Sequence, residues 1–102
     1  MKPLLLALAT GLILVAAVQG VSARGTIERA CINSDRPASR ELCRCLQYVA
    51  DQTLTSRDQR KGAKFFSEPQ RAQDTRQSDR ASNEAFWKKW KNFGSTAQAI
   101  CG

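Results

Sequence analysis

Four cysteines, Cys31, Cys43, Cys45 and Cys101, are the side chains of this sequence best suited to chemistry. As free thiols, Cys43 and Cys45 would make a redox dithiol, or would hold a soft metal with Cys31 or Cys101 as third ligand. Arg44, between them, would lower a thiol pKa. As oxidised pairs the four would be structural staples instead. The spacing is Cys-x-Cys and lacks the Cys-x-x-Cys signature of metal and dithiol sites. Disulfides are therefore the expected state, with a thiol–disulfide redox protein using Cys43 and Cys45 as the alternative. No metal or cofactor is expected.

The chain has no histidine. That removes the usual general base, the Ser–His and Cys–His nucleophile pairs and the commonest metal ligand. Glu41, Asp51, Asp58, Glu68, Asp74, Asp79 and Glu84 occur singly, mostly near an arginine or lysine. They read as solvated ion-pair partners on polar faces. A Gly-rich phosphate loop is missing too, so the sequence points to a non-enzymatic protein.

The most functional-looking surface is Trp87-Lys88-Lys89-Trp90-Lys91. Trp87 falls about 80° off the line of Phe86 and Trp90 on a helical wheel, which leaves it half exposed among Lys88, Lys91 and Arg80. A tryptophan beside lysines suits a membrane interface, a stacking site or an acidic partner. The competing reading puts both tryptophans in a small core with the lysines as its rim. Arg57, Arg60, Lys61 and Lys64 form a second basic patch on one helix side. The whole chain has 16 Lys and Arg against 9 Asp and Glu, a net charge of +7. Such a surplus favours anionic partners, here an envelope component or an acidic protein rather than nucleic acid.

These side chains have to be positioned by a short chain. Residues 1–23 read as a signal peptide, with Lys2 as the positive start, Leu4 to Val18 as the apolar run and Val21-Ser22-Ala23 as the cleavage site. Cleavage is expected after Ala23, with Gly20 as a second position; an uncleaved anchor is disfavoured because the apolar run is short for a span. The region 24–102 is then one small domain, periplasmic or secreted. Chains of this size bury little core and usually need staples.

An amphipathic helix is predicted over residues 38–54, because Leu42, Leu46, Val49, Ala50 and Thr53 recur on one face. On it Cys43 and Cys45 point about 200° apart, so bonding to each other would require unwinding. One therefore pairs with Cys31 and the other with Cys101. Cys31–Cys43 with Cys45–Cys101 is preferred, and the crossed pairing stays open. Both cysteines are expected on the flanks of the apolar stripe.

Around this helix the sequence predicts a short helix at 24–33, a turn at 33–37 with Pro37 in the next helix's first turn, and Thr55 or Ser56 capping a third helix over 57–66. Gly62 offers that third helix a close approach to the central one. Ser67 is expected to cap again, with Gln70 three residues on. Residues 68–83 read as an exposed helix or a flexible linker, the helix being favoured. The last helix carries Phe86, Trp90, Phe93 and Ala97 as a core stripe, and Gly94 is expected to end or kink it. The fold class is all-α, a disulfide-stapled bundle of four to five helices.

Cys43-Arg-Cys-Leu-Gln-Tyr-Val-Ala-Asp-Gln-Thr-Leu, Asp58-Gln-Arg with Lys64-Phe-Phe, Ala72-Gln with Arg76-Gln-Ser, Glu84-Ala-Phe-Trp and the terminal Cys101 together resemble a known set. These are small exported four-cysteine bacterial proteins that carry the label "arginine transporter". The resemblance covers nearly all of 24–102 and brings no functional residue with it. A transporter needs several spanning segments and this chain has one removable apolar stretch. What the resemblance implies is thus a soluble accessory to arginine or amino-acid transport.

Overall fold

A computed structural model describes residues 25–36 and 38–102. The expected signal peptide, both cleavage positions and Pro37 lie outside the described residues. Among the described residues the chain is all-α, with α1 (Thr26–Ile32), α2 (Arg40–Thr53), α3 (Ser56–Ser67), α4 (Gln70–Arg76) and α5 (Ala81–Cys101). Two disulfides staple it, Cys31–Cys43 from α1 to α2 and Cys45–Cys101 from α2 to the end of α5.

The central helix α2 begins at Ser39, whose Oγ accepts the Leu42 N–H at 3.0 Å. This hydroxyl satisfies an amide that the helix itself leaves unpaired. It ends at Leu54, which is extended, and Thr55 Oγ1 at once accepts the Asp58 N–H at 3.1 Å to start α3.

The buried side of α2 is rotated from the one the apolar spacing suggests. Leu42 is 37% exposed, whereas Cys43, Gln47, Val49 and Ala50 are buried. The cause is α1, which is bound covalently to Cys43 and buries Ile27 and Cys31 with it. Cys43 thus lies inside the core rather than on its flank. The main cluster comprises Ile27, Val49, Ala50, Leu54, Phe93 and Ala97, with Leu46, Ala63, Phe66, Trp90 and Cys101 packed against it. Fully burying a side chain such as Ile27 or Val49 contributes about 1.5–3 kcal/mol. So few of them leave a core that depends on its staples.

A polar cluster ties α1, α2 and α3 together. Gln47 Oε1 accepts the N–H groups of Ile27 and Glu28 at 2.8 and 2.9 Å, capping α1 from another helix. Its Nε2 donates to Asp51 Oδ1 and to Gln59 Oε1, both at 2.8 Å. Gln59 Nε2 donates in turn to Asp51 Oδ1 at 3.2 Å and to the Leu54 carbonyl at 3.4 Å. α1 has no side-chain cap of its own at Gly25.

Three local expectations are corrected. Ser67 is the last residue of α3, where its hydroxyl donates back to the Lys64 carbonyl; α4 follows Pro69 without a side-chain cap. The polar stretch after it is helical only over the seven residues of α4, and α5 begins early, at Ala81. Gly94 neither ends nor interrupts α5, which runs 21 residues to Cys101. Burial of Ala97 and the Cys101 bond, both beyond it, outweigh the local preference of glycine.

A Cβ added at Gly94 would meet nothing within 4 Å. Gly94→Ala is therefore expected to stabilise the protein by about 1 kcal/mol, the helix-propensity difference between the two residues. A higher urea midpoint with an unchanged slope would show it; a lower midpoint would mean that the glycine serves a contact not present here.

Candidate functional site

All four cysteines are consumed by the two disulfides, and none is free. The connectivity is the preferred one of the two left open by helix geometry. A dithiol formed by Cys43 and Cys45 does not exist here, because each is bonded to a different helix. Cys43 is also fully buried, out of reach of an attacking thiolate. Cys45 and Cys101, by contrast, are only half-buried.

Of the basic residues on α3 and α5, two are used inside the fold. Lys61 Nζ donates to Asn83 Oδ1 at 2.6 Å and sits 4.7 Å from the centre of the Phe86 ring. Lys89 Nζ lies 2.8 Å from Asp58 Oδ2. Arg57, Arg60 and Lys64 on α3, and Lys88 and Lys91 on α5, are exposed. They make no ion pair or side-chain hydrogen bond among the described residues.

Asp58 departs from its expected solvated state, being only 7% exposed. Burial alone would raise its pKa, but the contacts with Lys89 and Thr55 outweigh it and hold the carboxyl below the ordinary value. At 2.8 Å the Lys89 ammonium and Oδ2 form an ion pair. A carboxyl whose folded pKa is depressed stabilises above its unfolded pKa, about 3.9, and that stability is lost as pH falls through the folded value. Asp58→Asn keeps the shape and removes the charge. Urea unfolding of the variant should be less sensitive to acid below about pH 4 than that of the wild type; parallel losses in the two would contradict this account.

The aromatic residues build the α3–α5 contact. Trp90 lies edge-on to Phe65 at 5.2 Å, stacks on Phe86 at 5.9 Å and tilts against Phe93 at 4.8 Å. Trp87 tilts against Phe65 at 6.4 Å and keeps part of its ring at the surface. Gly62 admits the Trp90 ring, which a Cβ there would overlap. Gly62 thus makes room for the Trp90 side chain of α5 rather than for the central helix.

Beside this cluster opens a groove of about 340 Å³, lined by Ser34, Arg36, Phe65, Phe66, Pro69, Ala72, Gln73 and Trp90. Its volume is at the lower end of small-molecule sites, about 300–1,000 Å³. Apolar walls from α3, α4 and α5 meet the turn after α1, which supplies Arg36. Sequence reasoning missed it. The available signal was the Phe65-Phe66 pair at the end of an otherwise polar helix: neighbours on a helix point about 100° apart, and both rings line the groove while Phe66 also packs on the main core.

Fold and site together define a small all-α domain, held by two disulfides, with exposed cations on two helices and an aromatic groove. Comparison with protein-family models, with curated proteins and with solved structures gives no match.

Proposed function

We propose that this protein is an exported, non-enzymatic binding module that holds an anionic partner of the cell envelope through the free cations of α3 and α5. The supporting observation is that Arg57, Arg60, Lys64, Lys88 and Lys91 are exposed and unpaired among the described residues. Exposed cations without ion-pair partners are available to a polyanionic partner. Export is supported by the signal-peptide pattern and by two disulfides, which persist in oxidising compartments. No described helix is long and apolar enough to cross a membrane. A role in capturing arginine itself is less well supported: the groove lining contains a guanidinium and no carboxylate, the wrong charge for a cationic amino acid.

Lys88→Glu with Lys91→Glu tests the reading without touching the Lys89–Asp58 pair. Cosedimentation with vesicles containing anionic lipid, and with isolated envelope material, should weaken about tenfold or more, since a cation near an anionic surface contributes about 1 kcal/mol. The far-UV spectrum should stay unchanged. Wild-type capture by the variant, and by an Arg57→Glu, Arg60→Glu, Lys64→Glu variant, would remove the proposal.

A further inference from the structure

We infer that the groove between α3, α4, α5 and the turn after α1 binds a single-chain anionic amphiphile, its apolar tail against Phe65, Phe66, Ala72 and Trp90 and its carboxylate at Arg36. This goes beyond the envelope-binding reading and uses none of the five cations that carry it.

The tail site is preformed. Trp90 is seated against Gly62 and held by Phe65, Phe86 and Phe93, so the wall does not have to be organised by the ligand. At the roughly 30 Å³ that a water takes up in the liquid, the groove's 340 Å³ offers room for about ten groups of methylene size. That is of the order of one medium-length alkyl chain.

Charge complementarity selects the head group. Arg36 lines the groove and is exposed, and its guanidinium has no ion pair or hydrogen bond among the described residues. Gln73 of the lining in turn accepts from a second guanidinium, Arg76 Nη2, at 2.7 Å. No lining residue is acidic. Of the acids next to lining residues in sequence, Glu68 is paired with Arg71 at 2.8 Å, while Asp74, which accepts from Gln70 at 3.1 Å, and the exposed Asp35 keep their charge but are not part of the lining. An arginine fork and a carboxylate match in geometry as well as charge.

Calorimetric titration of the oxidised protein with decanoate, below its micelle concentration, tests the inference. Saturable one-to-one binding is expected, about tenfold tighter than for 1-decanol or decyltrimethylammonium, the effect of one charge-assisted contact. Arg36→Gln should abolish the preference for the anion and leave tail binding in place. Ala72→Phe should fill the groove and remove binding of all three. The Lys88→Glu, Lys91→Glu variant should bind decanoate as the wild type does. Absent or unsaturable decanoate binding, no preference for the anion, or wild-type binding by Ala72→Phe would overturn the inference. Because Lys88 and Lys91 are outside the groove, any of these results leaves the envelope-binding proposal to its own experiment.

Discussion

Replacing Cys45 and Cys101 together by alanine is expected to lower stability by about 4 kcal/mol, the loop-closure term for a bridge spanning 56 residues. Small domains have about 5–15 kcal/mol in total, and this one buries few large side chains. Its urea midpoint should fall by roughly 4 M, taking a slope of about 1 kcal/mol per molar for a chain this size. The geometry gives reason to expect the whole effect. α5 brings Trp90, Phe93 and Ala97 to the core, but past Ala97 the helix buries little, and Ile100 is 55% exposed. The Cys101 bond is what anchors that end to α2. The matching change at Cys31 and Cys43 closes a shorter loop, 12 residues apart, worth about 3 kcal/mol. It also opens a hole at a fully buried site. Should the Cys45/Cys101 variant lose less than about 1 kcal/mol, with amide protection lost only after Phe93, the bond would merely pin a frayed end.

What could be read in the sequence was whatever depends on near neighbours. Leu46, Val49 and Ala50 lie on one face within a few turns, as do Phe86, Trp90, Phe93 and Ala97, and all of them pack toward the core. Thr55 and Asp58 form their cap within one turn. The disulfide choice narrowed because a single helix sets where Cys43 and Cys45 point. The errors arose where a distant segment decides. Leu42 looks like core until α1 docks on the Cys43 side. Asp58 looks solvated until Lys89 and the α3–α5 contact cover it. Gly94 looks like a stop until the contacts beyond it are counted, since an interior glycine costs only about 1 kcal/mol. The groove was the least legible feature, because four separate segments contribute its walls and none carries a motif.

Gln47→Leu is expected to cost about 3 kcal/mol or more, although it puts a larger apolar residue into a buried position of a helix. The carboxamide is saturated: both lone pairs of Oε1 and both protons of Nε2 are used. Its orientation is fixed, since the two amides of α1 can only donate to an oxygen. Leucine would strand the Ile27 N–H and Gln59 Oε1 in buried surroundings, and each orphaned group costs about 1–3 kcal/mol. α1 has no cap of its own at Gly25 to take over the lost bonds. Gln47→Glu separates the two halves of the argument. It keeps an acceptor for the α1 amides, where negative charge at a helix start is favourable, but it loses the donors to Gln59 and Asp51 and sets a carboxylate beside Asp51. The glutamate variant should therefore retain amide protection at Ile27 and Glu28 while lowering the urea midpoint, and the leucine variant should lose both. A leucine variant as stable as the wild type would mean that α1 is held by Ile27 and the Cys31–Cys43 bond alone, with the polar cluster contributing only orientation.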